Sequence, residues 1–114
     1  MKRMAENTDS AVTACLISGY QFIAIEYPAR WRDRARAFAE RNGLKGTVLL
    51  AAEGINFSLA GPAEALDRWL AWIAENLGCE QPVLNRQTVP EAPFLRLKVR
   101  VRDEIVTFDE AVRP

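Results

Sequence analysis

The chain has 114 residues, 49% of them hydrophobic and 26% charged, with 15 Lys plus Arg balanced by 15 Asp plus Glu. A chain of this length buries roughly two-thirds of the surface its unfolded form exposes, enough for one core and one domain. It has no histidine, which excludes a Ser-His-Asp triad, a Cys-His dyad and His-ligated metal sites, and its two cysteines are too few for a disulfide scaffold or a multi-cysteine metal site.

Residues 1–11 are mostly polar and aperiodic and are expected to form a flexible N-terminus, with a domain over 12–108 and the start of a linker at 109–114. Val12 to Ile25 is rich in β-branched and aromatic residues and predicts one long strand, with Gly19 as a bulge or twist point. Pro28 suits the first position of a helix. Trp31, Ala35, Phe38 and Ala39 recur on its apolar face, and Asn42-Gly43 closes it with a left-handed cap. Thr47 to Ala51 reads as a buried strand, and Ile55, Phe57 and Leu59 alternate with polar or small residues in the next, with a turn at Glu53-Gly54. Gly61-Pro62 predicts a Gly N-cap with Pro at the first helical position, ahead of a stripe of Leu66, Trp69, Leu70, Ile73 and Leu77 that ends at Gly78. Val83 to Val89 reads as a short edge strand, and Phe94 to Val106 contains a strict period-two strand.

Strand, helix, strand, strand, helix, strand, strand, with one apolar stripe per helix, predicts an α+β fold. It is the ferredoxin-like, acylphosphatase-like arrangement: an antiparallel sheet of four to five strands with two helices on one face. The other face is left open to water or to a partner. The longest early apolar run, Ala11 to Ile17, is far short of the roughly 20 residues that span a bilayer. With the scarce cysteines, that points to a cytoplasmic protein without membrane contact.

Arginine supplies 12 of the 15 basic residues, and Arg96 to Arg102 reads Arg-Leu-Lys-Val-Arg-Val-Arg. As a strand, this places Leu95, Leu97, Val99 and Val101 toward the core and Arg96, Lys98, Arg100 and Arg102 away from it. One reading is a solvated face whose cations discourage edge-to-edge aggregation. The other is a stripe that tracks the phosphates of a single-stranded nucleic acid, because like charges about 7 Å apart repel unless a polyanion compensates them. The turn residues Glu53, Gly54, Ile55 and Asn56 are explained by hairpin chemistry, with Gly54 supplying an unusual backbone angle. No pair of carboxylates stands at a catalytic or metal-ligand spacing. Trp31 and Trp69 fall on apolar stripes as core residues, with Trp72 partly exposed. Cys15 lies in an apolar strand and Cys79 follows a helix C-terminus, where a thiolate is disfavoured, so neither is expected to react.

The run Leu44-Lys45-Gly46-Thr47-Val48-Leu49-Leu50-Ala51, followed by Glu53-Gly54-Ile55-Asn56 and Ala60-Gly61-Pro62, resembles a signature of the bacterial tRNA uridine(34) hydroxylase family of rhodanese-domain proteins. Phe94-Leu95-Arg96-Leu97-Lys98-Val99-Arg100 and Asp103-Glu104-Ile105-Val106 resemble that family's second signature at the expected distance. The resemblance spans residues 13 to 108. It implies an N-terminal acylphosphatase-like domain that precedes a rhodanese-like domain. The whole protein would be an oxidoreductase that converts the wobble uridine of certain tRNAs to 5-hydroxyuridine, with molecular oxygen as co-substrate. It further implies that the reactive cysteine belongs to the absent C-terminal rhodanese-like domain, so that this chain alone is not catalytic and holds no cofactor or metal. Its partners would then be tRNA and that domain.

The leading expectation is a module that positions tRNA or shapes the cleft with the rhodanese-like domain, using Arg96, Lys98, Arg100 and Arg102 as RNA contacts. The alternative is a protein-interaction or structural module of a rhodanese-like sulfurtransferase without direct RNA contact. A stand-alone acylphosphatase is disfavoured because no glycine-rich turn closing with arginine lies between Phe22 and Arg30. A base-stacking sheet of the RNA-recognition-motif kind is disfavoured because Gly54 to Gly61 lacks the aromatic pattern.

Overall fold

A computed structural model describes residues 14–91 and 93–104. The expected N-terminus (1–11), the linker (109–114) and the Ile105-Val106 end of the second signature lie outside the described residues. The elements in chain order are β1 (Ala14–Phe22), α1 (Pro28–Arg41), β2 (Lys45–Ala51), β3 (Gly54–Gly61), α2 (Ala63–Leu77), β4 (Val83–Val89) and β5 (Leu97–Val101).

The strands form one sheet in the order β4-β1-β3-β2-β5. Every neighbouring pair is antiparallel except β2 and β5, so the sheet is mixed rather than wholly antiparallel. The direction of β5 follows from the register. Val89 pairs with Ala14, Cys15 with Gly61, and Ala60 with Lys45, so β4 ends at the edge of the sheet where β2 begins. The chain crosses that end and enters β5 at Leu97 opposite Gly46, which leaves only the parallel direction. Two backbone bonds frame the pair: Gly46 N–H donates to Arg96 O at 2.8 Å and Arg102 N–H to Leu50 O at 2.8 Å.

Both helices cover the same face. Ile17, Val48, Leu50, Ile55, Phe57, Leu59 and Val99 from the sheet meet Ala35 and Ala39 of α1 and Leu66, Trp69, Ile73 and Leu77 of α2 in one buried cluster. The tryptophans knit the helices together. Trp31 meets Trp72 edge-on at 6.0 Å, Trp72 stacks on Trp69 at 5.8 Å and on Phe38 at 5.3 Å, and Trp69 meets Phe57 at 5.8 Å. Trp69 is fully buried, while Trp31 and Trp72 are half-buried against the cluster.

Helix α1 begins at Pro28 and closes as the sequence predicts. Gly43 has φ 70°, its N–H bonds Glu40 O at 3.1 Å, and Leu44 N–H reaches back to Ala39 O at 2.9 Å. The start of α2 is shifted by one residue from expectation: Pro62 is the N-cap and Gly61 ends β3. Gly61 is needed for space, since a Cβ there would lie 2.7 Å from Leu44 Cδ2. Gly19 forms no bulge either. Its pairing with Phe57 and Leu84 is in register, and a Cβ would sit 2.7 Å from Phe57 Cζ. The first strand ends at Phe22 instead of continuing to Ile25, because Ile23 and Ile25 turn their N–H groups onto Glu53 O and Ala52 O of the β2–β3 turn, each at 2.9 Å.

Candidate functional site

The sheet face opposite the helices is built by alternation and register. With Ile17, Phe57, Val48 and Val99 committed to the core, their neighbours Ser18, Ser58, Thr47 and Lys98 must point the other way. Asn85, Ser18, Ser58, Thr47 and Lys98 form one row straight across the sheet, and Val83, Tyr20, Asn56, Leu49 and Arg100 form the next. Ser18 and Ser58 share a hydrogen bond of 3.0 Å between their hydroxyl oxygens.

No Asp or Glu occurs within any of the five strands. Cations do: Lys98 and Arg100 on β5 and Lys45 on β2 stand on the open face, with Arg96 and Arg102 directly flanking β5. Arg96, Lys98, Arg100 and Arg102 are all exposed, as the alternating pattern predicts. Ion pairs at Arg32–Asp33 (3.1 Å) on α1 and at Arg86–Asp67 (2.8 Å), where β4 turns an arginine toward α2, stand away from β5. The acids Asp103 and Glu104 follow the ladder at its C-terminal end.

The apolar half of the ladder differs from expectation. Val99 is buried and Leu97 packs against the core, but Val101 is 36% exposed and Leu95 is 92% exposed. The cause is the shortness of β5: Leu95 precedes the first residue paired with β2, and Val101 is the last residue of a strand at the sheet edge. Arg36 of α1 ties the strand down, its Nη2 donating to Val99 O at 3.0 Å. Where the chain enters β5, a cleft of about 390 Å³ opens between Thr47, Phe94, Arg96 and Lys98. Gly46 lines it and cannot be replaced without movement, because it holds φ 131° and a Cβ would fall 2.0 Å from Ser58 O.

The Glu53, Gly54, Ile55, Asn56 segment lies at the other end of the ladder, beside Arg102, because β2 lies between β3 and β5. The parallel β2–β5 pair thus brings together two motifs distant in sequence. Their roles are not those of a free turn. Gly54 begins β3 without a positive φ, and its missing side chain lets β1 and β3 approach: a Cβ would lie 2.4 Å from Gln21 O. Ile55 is in the core, and Asn56 is half-buried on the open face.

Lys45, Thr47, Ser18 and Ser58 were not singled out by sequence reasoning. Only pairing register puts them on the cationic face, and register is not written in any one segment. Cys79 is 1% exposed, and burial pushes its thiol up to about 11. Among the described residues no three His, Cys, Asp or Glu side chains gather as a metal site. In the segment after β1, the N–H groups of Ile23 and Ile25 are taken up by Glu53 O and Ala52 O.

Comparison with known proteins agrees with this architecture. Acylphosphatases from Coxiella burnetii (TM-score 0.53, 17% identity, 79% of this chain and 93% of that one) and Bacillus subtilis (TM-score 0.52, 12% identity, 76% and 97%) share the fold. The tRNA uridine(34) hydroxylase of Xanthomonas euvesicatoria pv. vesicatoria (strain 85-10) is 41% identical over 91 residues, covering 80% of this chain and 37% of the relative. The protein of that name from Gluconobacter oxydans (strain 621H) is 40% identical over 95 residues, covering 83% and 30%. The chain therefore spans about a third of the length of these relatives. The profile of the UPF0176 acylphosphatase-like domain matches residues 14–105, and the chain belongs to that family.

Proposed function

We propose that this domain is the tRNA-handling module of a cytoplasmic protein that hydroxylates wobble uridine 34, with Arg96, Lys98, Arg100 and Arg102 holding RNA phosphates. The relatives' name supplies the reaction, and a rhodanese-like domain beyond this chain would supply the reactive cysteine and consume molecular oxygen. The observation that carries the reading is the one-sided charge: four exposed cations at successive outward positions, beside a sheet whose strands contain no acid. A merely solvated strand needs no such segregation, whereas a polyanion repays the repulsion between like charges.

The test is tRNA binding by the full-length protein with all four residues changed to Ala. At roughly 0.7 counterions released per single-strand phosphate, the slope of log K against log salt should fall by about 3. The affinity gap between wild type and variant should then shrink about 50-fold as salt rises from about 50 to about 200 mM. Unchanged affinity and slope would remove the cationic strand from RNA binding.

A further inference from the structure

The open face carries a second feature that the cationic strand does not explain. Tyr20 and Phe22 stand side by side on β1, with ring centroids 6.2 Å apart and planes at 71°. Phe22 is 55% exposed, and Val83, paired with Tyr20 on β4, is 58% exposed. Alternation from Ile17 puts all three on the side away from the helices. Tyr20 is half-buried there, and Phe22 and Val83 are the exposed members of the group.

From this corner the face runs through Asn56, Ser58 and Thr47, with no acid on the strands, to Lys98 and Arg100. β1 and β5 are three strand spacings apart, about 14 Å. Sheets that bind unpaired RNA combine such parts: aromatic faces on which two or three bases stack, and hydroxyl and amide side chains within reach of base edges. A cationic border holds the backbone. A partner of either charge could cover an apolar corner, but strands that carry cations and no acid are complementary to a polyanion.

We infer that Phe22, with the Tyr20 ring edge-on beside it, offers a stacking face to an unpaired base, so that the open face takes a single-stranded loop, with its backbone over Lys98 and Arg100 and a base on Phe22. This rests on the reading of the cationic strand as an RNA contact and specifies the form of RNA that it takes. The pattern is invisible in β3, where such aromatics would be sought, because here they stand on β1.

The experiment measures binding of the full-length protein to a labelled RNA stem-loop with an unpaired seven-nucleotide loop, and to a blunt RNA duplex of equal length, at fixed salt. Phe22→Ala should weaken stem-loop binding about 5- to 150-fold, the range for loss of one aromatic stacking partner, with the salt slope and duplex affinity unchanged. Phe22→Tyr, which keeps the ring face, should bind as wild type. Lys98→Gln with Arg100→Gln should weaken both RNAs and lower the salt slope by about 1.4. Thermal melting checks that each variant folds, which the exposure of Phe22 makes expected.

Wild-type stem-loop affinity in Phe22→Ala would overturn the stacking site. If the lysine–arginine variant still lost binding in that case, the cationic strand would stand without it. Equal weakening of loop and duplex by Phe22→Ala would also overturn it. So would loss of contact between this domain and the rest of the protein with RNA binding intact. Failure of wild type to bind either RNA would sink both readings together.

Discussion

Three glycines separate two physical reasons for needing glycine, and their alanine variants should rank accordingly. Gly43 has φ 70° and nothing within 4 Å of its would-be Cβ, so Gly43→Ala meets only the left-handed penalty. That is about 1 kcal/mol once the lower entropy of the unfolded alanine chain is credited. Gly54 has no positive φ, but its Cβ would lie 2.4 Å from Gln21 O and 3.0 Å from Phe22 Cα, both backbone atoms that cannot swing aside. Prying β1 from β3 at that end resembles severe overpacking, about 2–3 kcal/mol. Gly46 combines both, with φ 131° and a Cβ 2.0 Å from Ser58 O, for about 3–5 kcal/mol. At about 4–6 °C per kcal/mol for a domain of this size, the melting temperature should fall by about 5, 12 and 20 °C respectively. Gly46→Ala has a second readout. Gly46 N–H holds Arg96 O at 2.8 Å, so the variant should also weaken tRNA binding at temperatures where it remains folded. Thermal and urea denaturation of the three variants measures the ranking. Gly43→Ala as damaging as Gly54→Ala, or Gly54→Ala within about 0.5 kcal/mol of wild type, would refute the assignment of conformation to one and space to the other.

Tyr27 holds φ 58° and ψ 58° ahead of Pro28, a left-handed conformation unfavourable for a tyrosine, with Arg30 Cζ 5.4 Å from its ring centre. Tyr27→Gly should raise stability by about 0.5–1 kcal/mol and Tyr27→Ala lower it by about 0.5, so that melting temperatures rank Gly above Tyr above Ala. Cys79 gives a pH signature. Its thiol is pushed up to about 11, while the unfolded thiol titrates near 8.5, so the folded state holds the proton more tightly. The stability this contributes is whole below about pH 8.5 and is lost as pH rises through 11, and Cys79→Ala should remove that part of the alkaline decline. Thiol reagents should label half-buried Cys15 before Cys79 in the native protein.

The fold was legible wherever a signal is local. Pro28, the Asn42-Gly43 cap and the stripe through Leu66, Trp69, Ile73 and Leu77 place the helices because capping and helical periodicity act within one segment. The cationic ladder was legible for the same reason: a strict two-residue alternation needs no partner to be seen. What was not legible depends on long-range pairing. Nothing between Phe94 and Val106 reveals that β5 runs parallel to β2, or that Val101 at its end stays partly exposed. Gly19, Gly54 and Gly61 read locally as bulge, turn and cap, yet each is dictated by an atom distant in sequence: Phe57 Cζ, Gln21 O and Leu44 Cδ2. Exposed Phe22, edge-on to half-buried Tyr20, was absorbed into a generic hydrophobic strand for want of the face on which it sits.

Face also decides what a formal charge of zero means for binding a polyanion. The strands carry Lys45, Arg86, Lys98 and Arg100 and no acid, the two helices hold six Arg and five acids between them, and the acids that bring the sum to zero stand outside these elements. A helix layer packs about 10 Å from a sheet, and the Debye length at physiological salt is about 8 Å. Phosphates lying on the open face would therefore be screened from much of the charge of the helical layer, whose sign is mixed, while in contact with Lys45, Lys98 and Arg100. Steering from a distance would be weak, since the far field of a neutral domain is small, and the favourable term would develop at contact. Arg102 is the exception within the ladder. Asp103 and Glu104 follow it immediately, inside the screening length, and offset its charge where the backbone would pass. The phosphate contacts should be strongest toward the Arg96 end, where the cleft opens and Lys45 adds a cation, and weakest toward the Glu53 turn.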